Sequence, residues 1–201
     1  MSDISSSILD FWFGPLDSSG SCSDDNKARW YKKDPEFDQS IKDKFEPLFR
    51  DLTRHAPRPS WVEGPQGLLA GVIVLDQFSR NMFRDSKEMY SGDGQALRLS
   101  FEIIALGYDK RLPLSLRPFS YMPLMHAENL PCQERCVELF SSFAEEQSGD
   151  TKKSVEFMGK YAVSHRDIVA RFGRFPHRNQ IVERESTREE IVFLKEPGSS
   201  F

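Results

Sequence analysis

Residues Leu68 to Leu75 form an unbroken apolar run, counting Gly71, with Pro65 three positions before it. A stretch with no polar face must be enclosed on all sides. It is far too short to span a bilayer. Proline suits the first turn of a helix, and the pattern continues to about Phe83, so the run reads as a central helix around which the rest of the chain must pack. The remaining segments are suited to that. Apolar residues recur at helical spacing in almost every one, and no stretch of four to eight residues alternates cleanly enough to be a strand. The expected fold class is all-α, built from antiparallel helix pairs, about eight helices in one domain over residues 1–195 with a tail at 196–201.

The other elements carry their own start and stop signals. A helix over Ile4 to Phe13 ends at Gly14-Pro15, and the Ser/Asp-rich stretch from Asp17 to Asn26 reads as a loop. Asp34 caps the next helix and Pro35 opens it; Phe37, Ile41, Phe45, Leu48, Phe49 and Leu52 form its stripe, and Pro47 is expected to kink it. A helix from about Gly94 to Leu106 is expected to turn Leu97, Phe101 and Ile104 inward and to stop at Gly107. Pro113, Pro118, Pro123 and Pro131 break residues 111–131 into short turns. Helices follow from Pro131 to Phe143 and from Thr151 to Phe172, the latter ended by Gly173. Overlapping capping boxes, Ser186 with Glu189 and Thr187 with Glu190, announce a last short helix.

The 201 residues carry 27 Lys+Arg against 31 Asp+Glu, a net charge of −4. That balance argues against nucleic acid or an anionic membrane as a partner of the whole surface while leaving room for a local basic site. Three cysteines, Cys22, Cys132 and Cys136, are too few and odd in number for a disulfide framework, and Cys132 with Cys136 reads as core packing. The chain starts Met1-Ser2-Asp3-Ile4 without a basic and apolar leader, so a cytoplasmic location is expected.

Polar residues break the pattern in three places. Asp76 interrupts the apolar face of the central helix, within about 60° of Leu69, Val72 and Ile73 at 100° per residue. Arg80, four residues on, can answer it, with Asn81 and Arg84 following; the group is either a structural ion pair or one wall of a ligand site. The second place is Arg171-Phe-Gly-Arg-Phe-Pro-His-Arg-Asn179. Arg166, Arg171, Arg174 and Arg178 against Asp167 leave a local charge of +3 between residues 165 and 180. Guanidinium forks recognise carboxylate or phosphate, although they also cap helix carbonyls. The third is histidine placement: His126, His165 and His177 all fall in these polar segments, with Glu128 close to the first. Imidazoles there supply acid–base groups suited to neutral pH, or simply hydrogen-bonded core residues. A metal held by the three histidines with Glu128 and Asp76 is the weaker alternative, and no metal ligands are assigned, since no local metal-binding spacing occurs and the nearby arginines repel a cation. Dinucleotide, P-loop and serine-elbow motifs are absent, and no cofactor is named.

Five segments, Asp10-Phe-Trp-Phe-Gly14, Leu75-Asp-Gln-Phe-Ser-Arg-Asn81, Tyr121-Met-Pro123, His126-Ala-Glu128 and Arg171 to Asn179, together resemble the domain-of-unknown-function 924 family. The resemblance runs from about Ile8 to Leu194 and implies an all-helical fold similar to tetratricopeptide-repeat proteins. The chain departs from the family pattern at Ser79, Ala127 and Glu183, where proline, serine and glycine are common.

The function expected from these residues is binding of a small anionic metabolite where the central helix, the His126 turn and the arginine-rich loop converge. Arg80, Asn81, Arg84, His165, Arg171, Arg174, Arg178 and Asn179 would hold the ligand. His126 or His177 would transfer a proton, with Glu128 or Asp76 fixing the imidazole, and hydrolysis or group transfer is the class of any turnover. The alternative is a helical scaffold for a peptide or protein partner, its polar cluster purely structural.

Overall fold

The computed structural model of the chain describes residues 3–54 and 57–200. Met1, Ser2 and Phe201, at the ends of the expected domain and tail, lie outside the described residues. The fold is all-α: among the described residues there is no strand, only an isolated antiparallel bridge between Leu16 and Cys22. Two compact units are distinguished, an N-terminal one (residues up to 84, and 88–123) and a C-terminal one (residues 85–87 and from 124 onward).

The N-terminal unit holds α1 (Ile4–Phe13), α2 (Asp24–Tyr31), α3 (Pro35–Thr53), the central helix α4 and α5 (Asp93–Ala105). In α3 the Asp34 carboxylate accepts from the Phe37 N–H at 3.2 Å, and Ile41, Phe45 and Phe49 enter the core. Pro47 lies inside α3 on its exposed side. α2 falls partly where a loop is expected, because none of its residues is buried and it shows no apolar stripe. Tertiary hydrogen bonds hold it instead: Trp30 Nε1 donates to the Trp12 carbonyl at 3.0 Å and Asn26 Nδ2 to that of Phe13 at 2.9 Å. Ser23 caps its start. The Trp30 ring then packs edge-on to Phe119 at 4.8 Å, closing an aromatic cluster with Trp12 and Phe13.

α4 is α-helical over Gly64–Val72, widens to a π-helix over Ile73–Phe78 and returns to α over Ser79–Met82. Every residue from Gly67 to Asp76 is buried, as the apolar run requires. The π segment is not visible in the periodicity. Such widened turns displace the regular hydrogen-bond ladder. Here the Asp76 carbonyl is taken up by side chains, accepting from Arg80 Nη1 at 2.6 Å and Ser79 Oγ at 3.2 Å. Gly92 lies against the same segment: a Cβ there would sit 2.5 Å from the Leu75 carbonyl oxygen, so only glycine permits the approach that brings Asp93 to α4.

The buried face of α5 is Ala96, Leu99, Ser100 and Ile103, whereas Phe101 is exposed and Leu97 and Ile104 are half-buried. The expected face is therefore wrong by one position. Both sets obey helical spacing, and the polar Ser100 decides between them by donating to the Ser120 carbonyl. A second buried polar group, Asp109 with Tyr121 and Arg117, ties the proline-rich segment together: Tyr121 Oη donates to Asp109 at 2.6 Å and accepts from Arg117 Nε at 2.7 Å.

The C-terminal unit is organised on α7 (Leu130–Glu145) and α8 (Gly149–Phe172); the short helix α6 (Met122–His126) precedes α7 in the chain. Three residues connect α7 to α8, which makes the two an antiparallel pair. Cys136, Phe140, Phe143, Val155 and Ala162 are buried in this unit. Gly173 adopts φ 70° and ends α8, as expected, and the reversal lets Phe175 return onto Ile168, Val169 and Phe193. α9 (Arg188–Phe193) carries the Thr187 and Glu190 capping box. Beyond it the chain continues in turns to Ser199, which is buried and donates to the Leu194 carbonyl at 3.2 Å.

Candidate functional site

In the N-terminal unit Asp76 is fully buried, and Arg80 reaches it at 3.3 Å and Asp93 at 3.1 Å. Gln77 Nε2 adds a hydrogen bond to Asp76 at 2.5 Å. One turn on, Arg84 and Asn81 both address Asp38 of α3: Arg84 donates at 2.5 and 3.0 Å, Asn81 at 2.7 Å. The two guanidinium groups expected to orient a ligand are thus each engaged by carboxylates of the same unit. Asp38 and Asp93 escaped the sequence reading because each stands in the first turn of its helix, where an acid is ordinary.

In the C-terminal unit the predicted residues come together around Phe175, which is fully buried. The His165 ring lies edge-on to it at 5.5 Å, the His177 ring is tilted against it at 5.5 Å and the Arg178 guanidinium lies over its face at 4.6 Å. The His126 ring is 6.2 Å from that of His165. Local structure explains the convergence. Gln133 Nε2 donates to the carbonyls of Met125 and Ala127 at 2.6 and 2.7 Å, fixing the turn that presents His126. Arg178 Nη2 donates to the His126 carbonyl at 2.9 Å and so joins the arginine-rich loop to that turn.

Glu128 faces the loop backbone and not an imidazole among its hydrogen bonds: it accepts from the Phe175 N–H at 2.9 Å and from both arms of Arg184 at 2.5 and 2.7 Å. Burial opposes its ionisation, but Arg184 and the Phe175 N–H outweigh that and hold the carboxyl below its ordinary value. Arg184 also donates to Asn179 at 3.1 Å, and Asn179 to Ser186 at 3.0 Å, so Asn179 serves the loop's own closure. Arg174 grips Glu190 at 2.6 and 2.8 Å, and that grip, against a smaller cost of burial, brings the Glu190 carboxyl down to about 2. Arg171 lies exposed, paired with Glu189 at 2.9 Å and stacked over Phe172 at 4.7 Å. Glu190 was legible as a capping-box residue, but its pairing with Arg174 was not.

His165 is buried and its Nδ1 lies 2.7 Å from the Tyr161 carbonyl. A carbonyl only accepts, so Nδ1 carries the proton. Burial, reinforced by His126, lowers its pKa to about 3, and burial with Arg178 lowers that of His177 to about 4. Both rings are therefore neutral at physiological pH, and His126 and His177 keep partial exposure. Among the described residues no three His, Cys, Asp or Glu side chains are grouped to hold a metal ion. Burial pushes the Cys136 thiol up, and that of Cys132 likewise, which removes nucleophilic character. No helix among the described residues is long and apolar enough to cross a membrane.

The sequence model of the family described as "Bacterial protein of unknown function (DUF924)" matches residues 8–198. A solved structure, that of the protein of unknown function ATU0120 from Agrobacterium tumefaciens, is 35% identical, with a TM-score of 0.72, over 96% of this chain and 97% of that one. No curated protein matches the chain.

Proposed function

Because the chain belongs to the DUF924 family of bacterial proteins of unknown function, we propose a role from its site chemistry: binding of a small anionic metabolite by the imidazole and guanidinium groups around Phe175. The observation that carries this reading is the gathering of His165, His177 and Arg178 on one buried aromatic ring, with the His126 ring 6.2 Å from that of His165. An arginine stacked on an aromatic face keeps its planar fork preorganised. His177, neutral and half-buried beside it, can donate its one ring N–H to an anion without a prior proton uptake, whereas the His165 proton is committed to the Tyr161 carbonyl. The ligand set is narrower than the sequence expectation, since Arg80, Arg84 and Arg174 are engaged with Asp76, Asp38 and Glu190.

Those same ion pairs are what favours the rival reading, a helical scaffold whose polar groups serve only its own architecture. Thermal shift with inorganic phosphate, citrate and a panel of sugar phosphates separates the two. A raised melting temperature in wild type that is abolished by His177→Ala, in a variant that still melts cooperatively, supports the ligand site. No shift with any anion, together with a His177→Ala variant that has lost stability, supports the scaffold.

A further inference from the structure

In the C-terminal unit Phe157 and Tyr161 stand one turn apart on α8, 57% and 48% exposed, with their rings edge to face at 5.4 Å. They belong to a longer stripe. At 100° per residue Phe157, Tyr161, Ile168 and Phe172 lie within about 60° of one another. The first two stand on average about 120° from the buried line of Val155, Ala162 and Val169. α9 covers the C-terminal half of the stripe, where Phe193 packs on Phe172 at 4.9 Å and joins Ile168 in one cluster. The half that holds Phe157 and Tyr161 has no such cover among the described residues. Paired exposed aromatic rings mark a contact surface more often than solitary ones do.

Charge beside the exposed half indicates what covers it. Lys153, Glu156, Lys160 and Asp167 are all exposed and lie on one flank of the stripe, about 40° to 100° from Phe157. The other flank, with Ser154 and Met158, carries no charge. Glu156 and Lys160 are four residues apart in the order that favours pairing along a helix, yet neither side chain has a hydrogen bond or ion pair among the described residues. Lys153 and Asp167 hold only surface contacts, to Asp150 at 2.9 Å and Arg166 at 2.6 Å, which are exchanged at little cost. We propose that this face of α8 pairs with the same face of a second copy of the chain, antiparallel, about a twofold axis level with Gly159. Phe157 then faces the partner's Tyr161, Tyr161 the partner's Phe157, and Ser154 the partner's Ser164. In that register Glu156 comes within two residues, about 3 Å along the axis, of the partner's Lys160, and Lys153 equally close to the partner's Asp167. Each of the four flank charges meets an opposite one, twice over by symmetry. Parallel helices would set this flank against the uncharged one and leave all four unanswered, so the charges select the antiparallel dimer. Four half-exposed aromatic rings supply on the order of 400 Å², which places the contact in the small, weakly associating class of interfaces.

Sedimentation velocity on the full chain from about 5 to 500 µM at physiological salt tests this. Wild type is expected to pass from monomer to dimer across the range. Phe157→Ser is expected to weaken association at least about tenfold, since the axis counts the lost ring twice. Glu156→Lys and Lys160→Glu should each weaken it several-fold, because each sets like charges together. An equimolar mixture of those two variants should dimerise as wild type does, the lysines of one copy meeting the glutamates of the other. Both side chains are exposed and make no hydrogen bond or ion pair within the described chain, so each variant keeps its fold, which an unchanged urea midpoint checks. Charge effects along a single helix are not repaired by mixing, so the mixture isolates contact between copies. A wild type that stays monomeric throughout, assembly beyond the dimer, an unaltered association in Phe157→Ser, or a mixture no stronger than its components would each overturn the proposal.

Discussion

Arg80→Ala removes the guanidinium that faces a carboxylate with no solvent exposure. Arg80 reaches Asp76 at 3.3 Å and Asp93 at 3.1 Å, and it supplies the 2.6 Å hydrogen bond to the Asp76 carbonyl within the π segment. Removing one partner of a buried ion pair costs about 3 to 5 kcal/mol, chiefly because the other charge stays behind in a poor environment. Asp76 retains the 2.5 Å bond from Gln77, which places the expected loss near the lower end, about 3 kcal/mol. Trp12, Trp30 and Trp61 all lie in the N-terminal unit, so tryptophan fluorescence in urea reports on the part of the molecule that holds the pair. With a slope of about 2 kcal/mol/M, the midpoint should fall by roughly 1.5 M at unchanged slope. Asp76→Asn combined with Arg80→Ala should cost less than the sum of the two single changes, with a coupling of about 2 kcal/mol. A midpoint shift below about 0.5 M, the behaviour of an exposed pair, would refute the reasoning.

Two further outcomes are expected. His165 and His177 have pKa values of about 3 and about 4 in the fold against 6.5 unperturbed, so below pH 6.5 the unfolded chain takes up protons that the folded chain refuses. Stability should be complete above pH 6.5 and decline as pH falls toward 4, by on the order of 1 kcal/mol per pH unit for each ring. Glu190, lowered to about 2, acts in the same direction but between pH 4.5 and 2, so a urea series from pH 7 to 5 isolates the histidines. His165→Gln should make that slope shallower, and a flat profile in wild type would show that the rings ionise freely. Glu183 adopts φ 58°, a left-handed conformation that costs a side-chain-bearing residue about 1 kcal/mol or more, and its contact with Lys87 at 3.7 Å is exposed on both sides. Glu183→Gly should stabilise the chain by about 0.5 kcal/mol after allowance for the greater freedom of glycine when unfolded, and calorimetry showing a destabilisation would contradict this.

The residues themselves determined the helical class and most of the boundaries. Asp34 before Pro35, Gly173 after a long stripe and Thr187 with Glu190 are signals whose physics is local, and each formed the cap its pattern announces. The buried position of α4 was equally legible, since a stretch with no polar face has only one environment open to it. Tertiary structure decided what lies beyond the reach of a few neighbouring residues. α2 depends on hydrogen bonds to carbonyls 13 and 18 residues away, and the inward face of α5 depends on a serine finding a carbonyl 20 residues on. The same holds for the polar groups. That Asp76, Arg80, the three histidines and the arginine-rich loop stand out follows from composition and periodicity, but which charge answers which does not. Arg174 with Glu190, Arg84 with Asp38 and Glu128 with Arg184 are pairings across 16, 46 and 56 residues, selected only when burial forces each charge to find a partner within hydrogen-bond reach.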